Sequence, residues 1–248
     1  MSTESIGTVA TPQPQPAASS VAPAWHTMGV LLLVFGTVLF SLRVGAAASA
    51  AHASPRLAGY LFTIAGEWLV FFFIWLGSRW GGASLRTLAG DFAPTWRSIL
   101  RDLGLALAFL IVANIVLALE SSLLTRFLQA PSKEALRAFL PQRGAESAVF
   151  LLLTITAGIS EETIFRGYLQ RQFTVWTKSA ALGIALQGIL FGAYHAPLGL
   201  ISVITNAVCG ALLYGTLAAW RRSLRPGMIA HTLGDAVGGL VLARYFLK

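Results

Sequence analysis

The sequence predicts an all-α protein, a polytopic membrane helix bundle with about seven transmembrane helices; six or eight spans would also fit. Of its 248 residues, 56% are hydrophobic and 11% are charged, whereas soluble globular domains contain about 25% charged residues. The apolar residues lie in long runs with Lys and Arg clustered between them, as transmembrane helices and their flanking loops do. Both observations indicate an integral, multi-pass membrane protein.

The net charge of +8 could indicate a nucleic-acid partner, but the basic residues lie between apolar spans rather than on one face. We therefore expect membrane lipid around the chain and no nucleic acid. The single cysteine, Cys209, excludes an internal disulfide and a cysteine-rich metal site.

The elements follow from the distribution of charge and proline along the chain. Residues 1–24 are rich in Pro, Ala, Ser and Thr, so we predict a disordered N-terminal tail. Residues 25–248 are predicted to form a single transmembrane domain. Residues 84–102 mix basic and large apolar side chains, which favours one helix in the membrane interface, and residues 120–147 should form a loop outside the lipid. The seven predicted spans cover residues 25–42, 57–77, 103–119, 148–162, 179–194, 198–220 and 227–246.

A first polar motif, Glu161-Glu162-Thr-Ile-Phe-Arg166, ends the fourth span. Ionisable side chains at this depth are costly and mark functional sites. Glu162 and Arg166 are four residues apart and can pair on a helix. Glu161 is rotated by about 100°, pairs with neither and stays free for chemistry. The alternative is a solvated charge cluster at a helix end.

Two further polar groups lie in the later spans. His195 ends the fifth span, and His231 and Asp235 lie four residues apart near the start of the seventh, on one helical face. A lone histidine in a span is more often a hydrogen-bonded packing residue, but the apolar spans of this chain also hold the acidic residues Glu161, Glu162 and Asp235. A carboxylate in a water-poor pocket is a competent base for water, and imidazoles can position that water or bind a metal. The set favours a hydrolytic site over a redox or carrier site.

Glu67 lies midway along the second span. We expect it to be a protonated or locally paired carboxyl that stabilises helix packing, and the alternative is a place in the lining of the substrate cavity.

Three motifs therefore occur in order on successive predicted helices: Glu161-Glu162-x-x-x-Arg166, Phe191-x-x-x-His195 and His231-x-x-x-Asp235. They resemble the motifs of the CAAX protease and bacteriocin-processing (CPBP, or Abi) family of intramembrane endopeptidases, which includes the Ras-converting CAAX prenyl proteases. The resemblance covers a motif core of about residues 147–240.

The resemblance implies an intramembrane endopeptidase with a peptide or protein substrate. It implies that Glu161 activates water, that Glu162 with Arg166 supports Glu161, and that His195 shares the water.

The resemblance also implies that His231 and Asp235 bind or polarise the substrate carbonyl. Some members of the family have Asn at the position of Asp235, and an ionised Asp cannot donate a hydrogen bond to an oxyanion.

Family members are described both as metalloproteases and as glutamate-dependent proteases. Glu161, His195 and His231 could form a zinc site with an open position, but we expect no permanent zinc. We expect the protein in the prokaryotic inner (plasma) membrane. The alternatives are a non-catalytic immunity or scaffold protein of the same fold, or a proton-coupled carrier, since buried Glu, His and Asp can also relay protons.

Overall fold

The computed structural model describes residues 21–50, 55–90, 95–129, 139–142, 144–242 and 244, and within these ranges the chain is helical and has no strand. Residues 1–20 of the predicted tail and Lys133, Arg137 and Arg143 of the predicted loop lie outside these ranges. The described part contains eight helices, numbered here in chain order: α1 (Ala24–Ala50), α2 (Pro55–Trp80), α3 (Leu85–Ala89), α4 (Trp96–Leu124), α5 (Gly144–Thr177), α6 (Ala180–Tyr194), α7 (Leu200–Arg221) and α8 (Arg225–Ala236).

Two of these helices contain a segment with wider, π-helical turns, which is Glu162–Leu169 in α5 and Cys209–Gly215 in α7. A third π-helical segment, Val237–Leu242, follows directly after α8. A short 3₁₀ turn, Ala196–Leu198, joins α6 to α7.

Seven of the eight helices overlap the seven predicted spans, and α3 is the exception. The prediction that the glutamate motif ends the fourth span is wrong, because α5 continues to Thr177. The helix can continue past the motif since Glu162 and Arg166 pair with each other and are buried. Within the described ranges, α2, α4, α5 and α7 are long and apolar enough to cross a membrane, and α1 and α6 carry shorter apolar stretches, Ala24–Phe40 and Ala180–Tyr194. The predicted fold class, a polytopic helical membrane bundle, is confirmed. Crossing by α1, α6 and α8 stays a prediction.

The prediction of one interfacial helix over residues 84–102 is wrong in its second half. Ser84 caps the short helix α3, and its side chain accepts a hydrogen bond from the N–H of Thr87 at 3.1 Å. Thr95 then caps a second, long helix through the N–H of Ser98 at 3.2 Å, so α4 begins at Trp96 rather than at residue 103. The helix includes the charged residue Asp102, because its carboxylate is buried and forms ion pairs with Arg101, Arg221 and Arg225.

The last residues of the predicted tail belong to the fold. The side-chain oxygen of Gln172 accepts a hydrogen bond from the N–H of Val21 at 2.9 Å, and its amide group donates to Ala22 O at 2.7 Å. One turn into α1, Nδ1 of His26 lies 2.8 Å from the hydroxyl of Tyr168. These bonds fix the start of α1 against the second half of α5.

Helix α5 is central to the bundle. In the apolar 18-residue stretch that could cross a membrane, 67% of α5 is buried inside the protein. The corresponding share is 28% for α2, 17% for α4 and 22% for α7. It packs against α2 and α8 along its first half and against α6 along its second half. Large apolar side chains of other helices, such as Leu32, Ile111 and Leu212, are exposed, as lipid-facing positions are. The glutamate motif therefore lies on the helix that is best shielded from lipid.

Candidate active site

The glutamate motif lies where α5 changes from α-helical to π-helical turns. Glu161 is the last residue of the α-helical part, and the π-helical segment begins at Glu162. Such insertions are rare and occur frequently at functional sites. Glu162 Oε1 lies 3.0 Å from a guanidinium nitrogen of Arg166, so the ion pair predicted from the spacing is present and both side chains are buried.

Arg166 is held between aromatic rings. Its guanidinium carbon lies 4.1 Å from the ring centre of Phe191 and 5.1 Å from that of Tyr214, distances at which a cation is attracted to a ring. One of its nitrogens also donates to Gly210 O at 3.4 Å. The cation is thus fixed from three directions, and it fixes Glu162 in turn.

His231 lies at the centre of the acidic residues. Its Nδ1 is 3.1 Å from Glu162 Oε1. Its Nε2 is 3.5 Å from Asp235 Oδ2 and 3.6 Å from Glu161 Oε2, both longer than a hydrogen bond. The predicted proximity of His231 and Asp235 on one helical face is therefore present. The side chain of Asp235 is 47% exposed, so it forms the outer edge of the cluster.

Two glycines allow α8 to come this close to α5. A Cβ atom at Gly158 would lie 2.1 Å from Thr232 Oγ1, and one at Gly227 would lie 3.0 Å from Glu162 Oε2. Pro226 sits in the first turn of α8, where its fixed φ and missing N–H are tolerated. The start of α8 is therefore built to place His231 beside the two glutamates.

His195 occupies a different position from the other motif residues. It caps the C-terminal end of α6, and its Nδ1 lies 2.8 Å from Phe191 O. Because a carbonyl oxygen only accepts, Nδ1 carries the proton and Nε2 is an acceptor. Among the described residues, no hydrogen bond or ion pair joins His195 to Glu161. The ring centroid of Phe191 lies 4.7 Å from the imidazole centroid of His195 and 6.2 Å from that of His231.

A small cavity borders the side chain of Glu161. Its volume of about 10 Å³ gives room for about one water molecule. Glu67 of α2 lies on its wall, and its Oε2 accepts a hydrogen bond from Ser160 Oγ at 2.7 Å, so the carboxyl is locally paired, as expected. A place for Glu67 in the lining of the substrate cavity stays a prediction. Sequence reasoning missed Tyr194, although it directly precedes His195. The lining residues are Val34, Thr37, Glu67, Val70, Glu161, Ile164, Phe165 and Tyr194.

The three side chains named as possible zinc ligands are not gathered. Over the described part of the chain, no three His, Cys, Asp or Glu side chains are arranged to hold a metal ion. Of these three side chains, only Glu161 and His231 are close, with Glu161 Oε2 lying 3.6 Å from His231 Nε2. The residues present therefore do not fit a zinc site.

Comparison with known proteins gives one family. Residues 143–237 match the model of the Rce1-like family, described as type II CAAX prenyl endopeptidase Rce1-like. No curated protein and no solved structure is significantly similar to the chain. The matched segment contains all three motifs and the close approach of α5 to α8. The family resemblance that the motifs indicate is thus confirmed over the segment that carries them: residues 143–237 are similar to the Rce1-like family, which is described as a family of CAAX prenyl endopeptidases.

Proposed function

We propose that this protein is an intramembrane endopeptidase that hydrolyses a peptide bond with a water molecule activated by Glu161. The position of Glu161 carries the proposal. Its side chain is buried, it lines a cavity with room for about one water, and Oε2 lies 3.6 Å from His231 Nε2. A buried carboxylate next to a water-sized space can act as a general base.

The neighbouring charges support this role. Glu162 neutralises Arg166 and holds Nδ1 of His231, so two cations are directed to Glu162. Glu161 has no ion pair with Arg166 among the described residues. We therefore assign a structural role to Glu162 and a reactive role to Glu161, as the spacing of the motif predicts.

The reaction follows from the same geometry. Glu161 takes a proton from the water as the water oxygen adds to the peptide carbonyl carbon, and the electrons of the C=O π bond move to the carbonyl oxygen. Nε2–H of His231 donates a hydrogen bond to this oxyanion. When the intermediate collapses, the C–N bond breaks and the proton on Glu161 passes to the leaving nitrogen. The products are a carboxylic acid and an amine, with one water consumed.

His231 suits the role of donor because both of its nitrogens face carboxylate oxygens, which only accept. Asp235 cannot donate when it is ionised, so its part is to hold the proton on Nε2. His195 presents Nε2 as an acceptor, and we assign it a hydrogen bond from the water or from the substrate amide. Since the possible zinc ligands are not gathered, we propose that the reaction uses no permanent metal.

The substrate class comes from the family. We propose a peptide or protein that ends in a prenylated cysteine followed by two aliphatic residues and one further residue. The location in a prokaryotic inner membrane stays a prediction, which fractionation of host membranes would check.

The test uses the full chain purified into liposomes and a synthetic farnesylated peptide of this type, with a fluorophore and a quencher on either side of the scissile bond. We expect the wild-type protein to cleave it and Glu161→Gln to be inactive while folded. Cleavage should survive exhaustive chelation. Loss on chelation with recovery on added Zn²⁺ would overturn the metal-free mechanism and keep the protease.

Two further arms address the alternatives. The same peptide without the farnesyl group separates prenyl recognition from general peptidase activity. A proteomic comparison of the host with wild type and with Glu161→Ala should reveal a substrate that is processed only by the wild type. A protein that cleaves neither peptide and leaves the host proteome unchanged would be the scaffold or the carrier.

A further inference from the structure

We propose that Glu67 of α2 is a positioning residue of the catalytic centre, which acts as a neutral carboxylic acid and donates a hydrogen bond to the carboxylate of Glu161. The inference rests on the proposed function. It adds a residue from the N-terminal half of the chain, outside residues 143–237 that match the family.

Glu67 and Glu161 are in direct contact. Their side chains are hydrogen-bonded to each other, both are buried, and both line the small cavity. A carboxylate oxygen can only accept, so a hydrogen bond between two carboxyl groups requires a proton on one of them. Two negative charges side by side are also unfavourable, so carboxyl groups that share a site do not both ionise. The pair therefore carries one proton and one negative charge.

The surroundings of the two residues decide which of them holds the charge. Glu161 Oε2 lies 3.6 Å from His231 Nε2, and the positive charges of His231 and Arg166 both act on Glu161. Within the described part of the chain, the hydrogen-bond partners of Glu67 are Ser160 and Glu161, and no cation acts on it. An opposite charge nearby favours the ionised form of a carboxyl group, so the negative charge lies on Glu161 and the proton on Glu67.

The contact with Ser160 directs this proton towards Glu161. Ser160 Oγ lies 2.7 Å from Glu67 Oε2 and 2.6 Å from Thr156 O, so its hydroxyl proton is shared between two acceptors, as in other three-centre bonds within helices. Because Oε2 of Glu67 accepts, the carboxyl proton lies on Oε1. The remaining partner of Glu67 is Glu161, and the proton on Oε1 is donated to it.

This bond prepares Glu161 for the reaction. A neutral Glu67 adds no second negative charge to the site, so Glu161 stays ionised and able to take a proton from water. The donated hydrogen bond also fixes the direction of the Glu161 carboxyl group, and α2 thereby positions the base that α5 carries. Glu67 keeps its own proton throughout, so the steps of the proposed reaction are unchanged.

Two substitutions separate the hydrogen bond from the charge. Glu67→Gln keeps a donor for Glu161 and an acceptor for Ser160, so kcat and KM should stay close to those of the wild type. Glu67→Leu removes the donor at similar size, and misplacement of a reacting group by about 1 Å costs about 100-fold in rate. We therefore expect kcat to fall by about 100-fold, with KM little changed because Glu67 does not contact the substrate.

Infrared spectroscopy tests the position of the proton without any substrate, because the C=O stretch of a carboxylic acid is separate from the bands of a carboxylate. We expect a carboxylic-acid band in the wild type that is lost in Glu67→Gln and retained in Glu161→Gln. Persistence of this band in Glu67→Gln, or its loss in Glu161→Gln, would show that the proton is not on Glu67 and would overturn the inference.

The control is a buried glutamate at the start of the same helix. Glu146 accepts a hydrogen bond from Gln142 N–H at 2.8 Å and lies 3.6 Å from Arg56. Glu146→Gln and Glu146→Leu should leave kcat per folded molecule and the carboxylic-acid band unchanged, whatever they do to stability. If Glu67 only stabilised helix packing, its variants would likewise change the melting temperature and not kcat per folded molecule.

Two kinetic results would also overturn the inference. The first is a folded Glu67→Leu protein, or Glu67→Met if the leucine variant does not fold, with kcat close to that of the wild type. The second is a folded Glu67→Gln protein as slow as the leucine variant, since a neutral donor would then not be enough. A wild type that cleaves no substrate overturns the proposed function, whereas cleavage that is insensitive to Glu67 overturns only this inference, so the two failures are distinguishable.

Discussion

At the scale of single residues, Glu162 has more to do than the sequence indicates. Its Oε1 atom contacts both Arg166 and His231, so one carboxylate holds two cationic side chains from two helices. Glu161, the next residue, has no ion pair with Arg166 in the described ranges, and its Oε2 lies 3.6 Å from His231 Nε2. The two adjacent glutamates therefore differ in what they stabilise.

This difference predicts different outcomes for the two amide substitutions. Glu162→Gln leaves Arg166 buried without its counter-charge, and breaking a buried pair costs about 3–5 kcal/mol. We expect a lower melting temperature in detergent and, because His231 also loses its partner, a lower kcat. Glu161→Gln should abolish cleavage with a melting temperature close to that of the wild type. Equal melting temperatures for the two variants would contradict this division.

At the scale of helices, the site depends on the contact between α5 and α8. Gly158 lies one turn before Glu161, and Thr232 follows His231 directly. A Cβ at Gly158 would lie 2.1 Å from Thr232 Oγ1 and 2.8 Å from Met228 O. Since one of these atoms belongs to the backbone, side-chain rotation alone cannot relieve the overlap, and α8 must move.

We therefore expect Gly158→Ala to reduce kcat by about 100-fold, as a displacement of about 1 Å does. Cleavage rate per folded molecule is the measurement. Gly238→Ala is the matched control, because this glycine lies in the continuation of α8 and a Cβ there would have nothing within 4 Å. Comparable activity of the two variants would show that the site tolerates a wider spacing of these helices.

At the scale of the whole molecule, a buried carboxylate joins three helices. Asp102 of α4 lies 2.8 Å from Arg225 at the start of α8, and 3.5 Å from both Arg221 at the end of α7 and Arg101. Asp102 is 1% exposed. Through this group α4 is fixed to the two helices that follow the His195 motif.

Asp102→Asn should lower stability, because charged hydrogen bonds contribute about 1.5–3 kcal/mol each and the arginines would repel one another. Thermal unfolding in detergent measures the effect. Arg101→Gln provides the control, since its side chain is 56% exposed and exposed ion pairs contribute little. A larger loss for Arg101→Gln than for Asp102→Asn would contradict the central place of the carboxylate.

The sequence alone determined the features that depend on near neighbours along the chain. Apolar runs gave the helical membrane fold, because backbone groups in lipid must be satisfied within each span. Spacing of four residues gave the Glu162–Arg166 pair and the shared face of His231 and Asp235, because such residues are adjacent on a helix. The ordered motifs indicated the family to which residues 143–237 are similar. By contrast, the start of α4 was placed too late, because two of the three arginines at Asp102, Arg221 and Arg225, lie more than a hundred residues away along the chain.

Only the tertiary structure decided which of these groups meet. Glu162 and His231 are 69 residues apart, and Glu67 meets the start of the glutamate motif through Ser160, 93 residues away. No local pattern encodes such contacts, because they depend on how closely α2 and α8 pack against α5. For α8, Gly158 and Gly227 allow the close approach, since a Cβ at either position would crowd atoms of the other helix. The same packing leaves His195 without a direct bond to Glu161 within the described chain, and it places the water-sized cavity beside Glu161 and Glu67.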